Sequence, residues 1–287
     1  MNYSLLATDL DGTLLNEDKE IDSKTIEAIH EFRARGGRVV ICSGRSPLST
    51  KWIAETIGLK DEPIIAYNGA VILDEKGNVL EQFPFPNKAL LTFFDICQEE
   101  GVYVQFYEGD NLLVSEKAKW NLNWIENNIP ELKNIGGRTE ACDRYRKKCD
   151  VKLVKNLRDY IRENQPNINK IAVFNEGGSL RDFSEKIAQE YDHFEISSSL
   201  NYLNLEISPS GITKAASLGK VAEHLGIPLS QTAAIGDNFN DMFMLEMAGL
   251  GIAMGNAPDE VKRHADAVTL TNNEGGAGKA IQDYLLF

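Results

Sequence analysis

The sequence predicts an α/β fold, with a doubly wound, Rossmann-like parallel-sheet core into which a second α+β domain is inserted. Short apolar runs alternate with helical patterns at both ends of the chain, which is typical of parallel βαβ units. The pattern changes near Pro84 and resumes near residue 199. We therefore expect residues 1–83 and 199–287 to form the core. Residues 84–198 are expected to form a cap above the carboxyl ends of the core strands.

The first predicted unit is a strand followed by a helix. The apolar run Tyr3 to Thr8 ends at Asp9. A helix is predicted from about Ser23, because apolar residues recur along one face, and Gly36 is a plausible C-terminal stop.

The next units continue the alternation. Val39 to Cys42 is predicted to be a strand, and Ser46 followed by Pro47 is a strong helix-start signal. Ile64 to Tyr67 is predicted to form the third strand. A hairpin is then predicted around Asp74-Glu75-Lys76-Gly77.

The inserted region combines long helices with strands, such as the predicted helix Lys88 to Glu100 and the predicted strand Lys170 to Phe174. After it, strand and helix alternate again. The predicted elements of this C-terminal part are the strand Leu203 to Ile207, the helix Lys214 to His224, and the strands Thr232 to Ile235, Gly251 to Met254 and Ala267 to Leu270.

Composition limits the class of protein. The 287 residues include 43 acidic and 30 basic side chains, and this net charge of -13 repels nucleic acids. No run of the sequence is long and apolar enough for a membrane span or a signal peptide. The four cysteines form no CxxC pair, which favours a reducing compartment. We expect a cytoplasmic protein with no nucleic-acid or membrane partner, as a monomer or weak homodimer.

The main chemical signal is Asp9-Leu10-Asp11-Gly12-Thr13, directly after an apolar strand. Residues two apart in a strand or tight turn can point the same way, so both carboxylates can converge on one ligand. Two neighbouring carboxylates at the end of a buried strand require a compensating cation or a bound proton. A bare Asp-x-Asp pattern is more often an acidic turn, but the preceding strand and the following Gly-Thr favour a site.

A second acidic cluster, Gly236-Asp237-Asn238-Phe239-Asn240-Asp241, follows another predicted strand. Asp237 and Asp241 could simply be carboxylates at a helix N-terminus, where the helix dipole favours them. Two acidic clusters at the carboxyl ends of two parallel strands indicate more than that. Together they supply the oxygen ligands that Mg²⁺ prefers.

Two further sites offer groups to a phosphate. Ser43 and Gly44 follow a third strand and provide a hydroxyl and a backbone amide, while Lys214 provides a positive charge near a helix start. Each is weak alone, because Ser-Gly turns and surface lysines are common.

In this order, the segments DLDGT, SGR, GITKAASL and GDNFND resemble the four motifs of the haloacid dehalogenase superfamily. The insertion between the second and third motifs, together with Asn68-Gly69-Ala70, resembles the Cof-type subfamily. Members of that subfamily carry a large α/β cap, and many of them hydrolyse sugar phosphates.

The resemblance implies a role for each matching residue. Asp9 would attack phosphorus and become an aspartyl phosphate, and Asp11 would act as general acid and then general base. Asp9, Asp11 through its backbone carbonyl, and Asp237 would bind Mg²⁺, with Asp241 supporting directly or through water. The residues implied to hold the phosphate are Ser43, Gly44, Lys214 and Asn240. Arg45 is close to Ser43 and could reach a substrate hydroxyl or phosphate, but a surface or helix-start role accounts for it equally well.

The predicted function is Mg²⁺-dependent hydrolysis of a small phosphorylated metabolite, with a hexose or pentose phosphate as the first choice. A nucleotide, FMN or pyridoxal phosphate is the alternative substrate. Three different functions stay open: a phosphomutase, a receiver-like phosphoacceptor domain, and a non-catalytic protein that binds phosphorylated metabolites. The second aspartate, Asp11, favours hydrolysis, since a protein that only binds has no need of an acid there.

Overall fold

The computed structural model describes residues 2–122, 143, 146–175, 177–199 and 202–287. Within them the chain forms two β-sheets with helices packed against them. The strands are β1 (Leu5–Thr8), β2 (Arg38–Cys42), β3 (Ile64–Ala66), β4 (Val71–Leu73), β5 (Val79–Gln82), β6 (Tyr103–Glu108), β7 (Asn111–Val114), β8 (Val151–Leu153), β9 (Ile168–Phe174), β10 (Phe194–Ser199), β11 (Asn204–Pro209), β12 (Thr232–Gly236), β13 (Leu250–Ala253) and β14 (Ala267–Val268).

The helices flank the sheets and alternate with many of the strands. In the described residues they are α1 (Ser23–Ala34), α2 (Pro47–Thr56), α3 (Asn87–Glu99), α4 (Leu157–Asn164), α5 (Arg181–Glu190), α6 (Lys214–Leu225), α7 (Met242–Met247), α8 (Asp259–Arg263) and α9 (Gly276–Ala280), the last continuing as a π-helical turn, Ile281–Leu285.

The core sheet has the strand order β14-β13-β12-β1-β2-β3-β4-β5. All pairs from β14 to β3 are parallel, while the β3–β4 and β4–β5 pairs are antiparallel. The predicted α/β class and its largely parallel sheet are therefore confirmed. The predicted hairpin around residues 74–77 is the β4–β5 connection.

The sheet is buried on both faces, which explains its continuous apolar strands. Along β1, Leu5 and Ala7 pack in one core cluster with residues of α6 and α7, whereas Leu6 packs in the other with residues of α1 and α2. Successive side chains of a strand point to opposite faces, and both faces of this strand are buried, so its side chains are apolar until the strand ends. Its first polar side chains stand at the carboxyl end.

The predicted helix starts agree with the structure. The Ser46 side chain caps α2 by accepting a hydrogen bond from the backbone amide of Ser49, and Pro47 is the first helical residue. The Thr213 side chain caps α6 in the same way, and Gly226 ends that helix in the left-handed conformation.

The cap sheet has the strand order β10-β11-β9-β6-β7-β8 and is antiparallel except for the β7–β8 pair. The predicted placement of the strand near residues 203–207 in the core is wrong. β11 pairs with β9 and β10 in the cap sheet, so the chain returns to the core only after Pro209. The reason is visible in its pattern, because Leu205 and Ile207 pack into the cap core while the alternate residues Asn204, Glu206 and Ser208 are polar.

The cap also contacts the core through the turn between β6 and β7. The Asp110 carboxylate accepts a hydrogen bond from the backbone amide of Leu48 in the first turn of α2, at 2.9 Å. The Tyr67 hydroxyl donates to the backbone carbonyl of Gly109 at 2.5 Å. These two bonds attach one end of the cap sheet to the core beside the second motif.

Two further predictions concern the environment of the protein. Within the described ranges, no helix combines the length and apolar character that a membrane span needs. Cys42 and Cys97 are buried and form no disulfide, as expected for reduced thiols.

Candidate active site

Asp9 and Lys214 form a buried ion pair at the carboxyl end of the parallel sheet. Asp9 follows β1, and its Oδ1 lies 2.5 Å from the Nζ of Lys214, the first residue of α6. The lysine also donates to Oδ1 of Asp241 at 2.8 Å. Lys214 is 1% exposed, so its charge is balanced almost entirely by these two carboxylates.

Three carboxylates converge at this point. Parallel pairing of β1 with β12 sets Thr8 beside Ile235, so the acidic segments that follow the two strands meet at one edge of the sheet. Oxygen atoms of Asp9, Asp237 and Asp241 all lie within 4.8 Å of one another. This is an all-carboxylate set of hard oxygen donors, the kind that fits Mg²⁺.

The electrostatics of the cluster explain why it needs positive charge. Burial raises the pKa of Asp9 well above its ordinary value, Lys214 opposes this, and Asp241 and Asp237 raise it further. Burial and the neighbouring Asp241 likewise raise the pKa of Asp237 to about 6. Burial alone would lower the pKa of Lys214, but the two carboxylates that it contacts outweigh burial and raise it. One lysine thus faces three acids, and a divalent cation would complete the balance.

Asp241 is held mainly by the protein itself. Its Oδ2 accepts hydrogen bonds from the backbone amides of Asp237 and Asn238, both at 3.0 Å, and its Oδ1 accepts from Lys214. A Cβ at Gly236 would lie 2.5 Å from the Cβ of Asp241, so only glycine permits this close approach. The carboxylate of Asp241 therefore orients Lys214 and the loop after β12.

Gly12 brings the first acidic segment against the second. Its φ is +86°, and a Cβ there would lie 2.4 Å from Oδ2 of Asp237. The next residue, Thr13, donates its hydroxyl hydrogen to Oδ1 of Asp237 at 2.9 Å. The Asn256 side chain donates to the Gly12 carbonyl at 2.9 Å. The Gly-Thr pair of the first motif thus fixes the position of the Asp237 carboxylate.

Asp11 does not join the carboxylate cluster. Its carboxylate accepts two hydrogen bonds from Arg45, one from Nε and one from a terminal nitrogen, both at 2.7 Å, and a third from Lys19 at 3.1 Å. Desolvation alone would raise the pKa of Asp11, but Arg45 and Lys19 outweigh it and hold that pKa well below its usual range. Asp11 is therefore a carboxylate in this arrangement, with Arg45 as its partner.

The second motif forms a tight loop after β2. Ser43 is 1% exposed, and its hydroxyl oxygen accepts a hydrogen bond from the backbone amide of Arg45 at 3.1 Å. The Gly44 carbonyl accepts from the Nζ of Lys170, which lies in the cap, at 2.8 Å. The loop therefore touches the cap directly.

A polar chain links this loop to the fourth motif. Lys170 also pairs with Glu206, at 2.6 Å, and the other oxygen of Glu206 accepts from the Asn68 side chain at 3.0 Å. The side-chain oxygen of Asn68, Oδ1, accepts a hydrogen bond from the side-chain amide of Asn240 at 3.1 Å. Asn68 has a left-handed backbone with φ of 56°, an unusual conformation for a non-glycine residue. Two cap residues are thus connected to two core segments at the site.

Residues 6–281 match the family model described as haloacid dehalogenase-like hydrolase. The chain belongs to this family. Phosphatase YwpJ of Bacillus subtilis is 29% identical over 290 residues, which covers 98% of this chain and 99% of the relative. The 5-amino-6-(5-phospho-D-ribitylamino)uracil phosphatase YcsE of the same organism is 30% identical over 286 residues, covering 100% and 97%.

Solved structures agree with this membership. A haloacid dehalogenase-like hydrolase from Bacillus subtilis superimposes with a TM-score of 0.81 at 28% identity, and the match covers 98% of this chain and 99% of the other. The likeness spans both core and cap, so this chain has the whole architecture of a haloacid dehalogenase-like hydrolase with a large cap.

Most of the residues implied by the sequence lie together. Around the ion pair of Asp9 and Lys214 the structure gathers Asp237 and Asp241, and the polar chain brings in Gly44 and Asn240. Asp11 and Arg45 form a separate pair beside them, with Ser43 bonded to the Arg45 amide.

Sequence reasoning missed four contributors to this haloacid dehalogenase-like site. Thr13 stands within the first motif, and Asn68 belongs to the segment that marks the subfamily, so both had a local signal. Lys170 and Glu206 belong to cap strands whose pairing and docking decide their position, and in the sequence they look like ordinary strand charges. The one signal for Glu206 was the period-two alternation of β11, which faces it away from the cap core. The sequence of β9 does not alternate, so Lys170 had no such signal.

Proposed function

We propose that this protein is a Mg²⁺-dependent phosphatase that hydrolyses a small phosphate monoester, with hexose and pentose phosphates as its first substrate class. The reaction proceeds through an aspartyl phosphate on Asp9. The observation that carries the proposal is the buried pair of Asp9 with Lys214 at the carboxyl end of β1, in contact with the acidic loop after β12. The match to a hydrolase family and the phosphatase names of its relatives support it.

In this mechanism, Lys214 holds and orients the nucleophile. One oxygen of Asp9 is bonded to the lysine, which leaves the other to attack phosphorus in line. The lysine charge then counters the negative charge that the phosphoryl group brings to a protein of net charge -13. Asp241 keeps the lysine in place, because its Oδ1 accepts a hydrogen bond from Lys214 while two backbone amides hold its Oδ2.

Asp9, Asp237 and the backbone carbonyl of Asp11 would hold the Mg²⁺ ion. Asp241 would support the ion directly or through a water molecule. When bound, the metal supplies positive charge that neutralises the cluster and the phosphoryl oxygens. The backbone bonds of Asp241 and the contact of Thr13 with Asp237 preset these groups. The phosphoryl oxygens would be held by Ser43, Gly44, Lys214 and Asn240.

Asp11 acts as general acid toward the leaving oxygen and as general base toward the water of the second step. Such help is worth about 10²- to 10⁴-fold in rate. Arg45 holds Asp11 ionised in the present arrangement, so the acid step requires Arg45 to turn away from Asp11. A substrate phosphate or hydroxyl provides a different partner for the guanidinium.

The test is release of inorganic phosphate from a panel of sugar phosphates, FMN, pyridoxal phosphate and nucleotides, with and without Mg²⁺. We expect activity that chelation removes and Mg²⁺ restores. The variant Asp9→Asn should be inactive, and Asp283→Asn, which changes an exposed carboxylate in the last helical turn, is the matched control. Turnover by Asp9→Asn at the wild-type rate would refute the mechanism.

A second candidate substrate class is a phosphoribityl pyrimidine. The observation in its favour is the name of YcsE, a phosphatase for such a compound that is 30% identical over the full chain. Rates on 5-amino-6-(5-phospho-D-ribitylamino)uracil and on hexose phosphates separate the two classes. Tight ligand binding without turnover on any ester would instead support a binding protein.

A further inference from the structure

The loop that follows β1, residues 10–20, carries groups of the candidate active site. A backbone bond from the Leu15 amide to the Leu10 carbonyl, at 2.8 Å, closes its base. Farther along the loop, Lys19 has a φ of 59°, and its Nζ reaches back to the Asp11 carboxylate at 3.1 Å. The position of this loop therefore decides where the groups of the first motif lie.

Three asparagine side chains from the C-terminal part of the core bind the backbone of this loop. They are Asn256, Asn272 and Asn273, which we call the asparagine clamp. The first donates to the Gly12 carbonyl at 2.9 Å, and the second donates to the Leu15 carbonyl at 3.0 Å. The side-chain oxygen of the third accepts from the Glu17 amide at 3.0 Å. The clamp thus holds the loop at three points, from 244 to 257 positions away along the chain.

Asn256 also connects this loop to the acidic loop after β12. Its side-chain nitrogen lies 3.4 Å from Oδ2 of Asp237, while Oδ1 of the same carboxylate accepts from Thr13. The Asn256 side-chain oxygen accepts from the backbone amide of Asn272 at 2.9 Å. Because the nitrogen faces two acceptors and the oxygen faces a donor, only one orientation of the amide satisfies all of these partners. The rest of the clamp therefore aims Asn256 at Asp237.

The sheet and its loops fix the clamp itself. Parallel pairing of β12 with β13 and of β13 with β14 brings the loops after these strands to the same edge as the acidic segments. The Gly255 amide donates to the Leu270 carbonyl at 2.9 Å, and a Cβ at Gly255 would lie 2.8 Å from backbone atoms of that loop. Reciprocal bonds between Thr271 and Glu274 hold the turn that bears the other two asparagines. The clamp is thus held on its own side before it contacts the first motif.

We propose that the three residues of the asparagine clamp are positioning residues, which hold the loop of the first motif against the loop after β12 and so preset Asp237 for the metal. The Asn256 amide is neutral, so it orients the Asp237 carboxylate without cancelling the negative charge that attracts a cation. Outer-shell partners of this kind are typically worth about 10- to 100-fold in metal affinity. The clamp lies outside the four motifs, and its effect on the metal rests on the proposed phosphatase function.

Calorimetric titration with Mg²⁺ alone tests the effect on the metal. Asn256→Ala should raise the Mg²⁺ Kd about tenfold. Its kcat at saturating Mg²⁺ should fall less than the affinity, because bound metal draws Asp237 into place. Asn256 is exposed, so the change should leave the fold intact. An unchanged Kd in this variant overturns the proposal.

Asn164→Ala is the matched control for this titration. Asn164 is an exposed asparagine of the cap, and it also donates to a backbone carbonyl, that of Tyr160, at 3.0 Å. It lies outside the clamp, so its removal should leave the Mg²⁺ Kd at the wild-type value.

Hydrogen exchange separates the clamp from the phosphatase proposal, because it needs neither metal nor substrate. In the metal-free double variant Asn256→Ala/Asn272→Ala, the backbone amides of residues 10–20 should exchange at least about fivefold faster than in the wild type, since hydrogen bonds to the loop are lost. Exchange in β6 of the cap should stay unchanged. This pattern supports the clamp even if the wild type binds no Mg²⁺, a result that would count against the proposed phosphatase instead.

Two results of the exchange experiment contradict the proposal. Unchanged exchange in residues 10–20 overturns the clamp, whether or not the protein releases phosphate from an ester. Exchange that rises equally in β6 also overturns it, because the asparagines would then only stabilise the fold.

Discussion

Replacing Lys214 by Met tests the charge arrangement of the site most directly. The lysine is 1% exposed and donates to Asp9 and Asp241. Met has a similar shape, so the change removes the ammonium group and leaves three carboxylates within 4.8 Å without their buried cation. Removing one partner of a buried ion pair typically costs about 3 to 5 kcal/mol. For a protein or domain of this size class each kcal/mol lowers Tm by about 2 to 4 °C.

We therefore expect the melting temperature of Lys214→Met in EDTA to fall by about 6 to 20 °C. Mg²⁺ should raise the Tm of the variant more than that of the wild type, because the metal replaces part of the missing positive charge. Thermal unfolding followed by circular dichroism, with and without Mg²⁺, measures both effects. Lys186→Met is the control, since its ion pair with Glu100 is exposed and is worth at most about 1 kcal/mol. A Tm of Lys214→Met within about 2 °C of the wild type in EDTA would refute this account of the cluster.

Two further substitutions test how the site is assembled. Gly12→Ala should lower the apparent Mg²⁺ affinity at least about tenfold in a metal titration of activity, because the added Cβ would collide with the Asp237 carboxylate. Gly36→Ala is the control, since its φ of +91° gives the same backbone strain but its added Cβ would meet no other residue within 4 Å. It should keep the wild-type affinity. Glu206→Gln leaves the Lys170 ammonium buried without its counter-charge and should lower kcat/KM about tenfold or more. Glu108→Gln is the control, because this cap carboxylate is about as exposed as that of Glu206 but pairs with the much more exposed Lys152, and it should match the wild type. Equal kinetics for both variants would contradict a bridging role for Glu206.

The core of the site was predictable because topology and motif point the same way. A parallel sheet brings the carboxyl ends of β1 and β12 to one edge, so Asp9 and Asp237 had to meet if both strands were assigned correctly. Gly12 could be understood only from the structure, since its requirement arises from a contact with Asp237, which is far away along the chain. The partner of Asp11 was equally hidden, because Arg45 could be assigned to the substrate or to the surface on sequence grounds.

The cap was less predictable, for a physical reason. Its side chains reach the site only after the sheet has paired and the whole domain has docked, and neither event leaves a local pattern. β11 shows the difficulty, because a short run with two apolar residues resembles a core strand until its alternation is considered. Lys170 and Glu206 depend on that same strand pairing, so the misassigned strand also concealed the cap side of the site.

The attachment of the β6–β7 turn to the core has a consequence for motion. The bonds from Leu48 to Asp110 and from Tyr67 to Gly109 act at one side of the cap sheet, while β10 forms its far edge. A cap that keeps these bonds can turn only about the β6–β7 turn and the two chain crossings near residues 83–86 and 209–213, so it does not lift away as a whole. Opening the cleft then requires two further bonds to break, that of Lys170 to the Gly44 carbonyl and that of Asn68 to Glu206, so these bonds act as the latch of the cap.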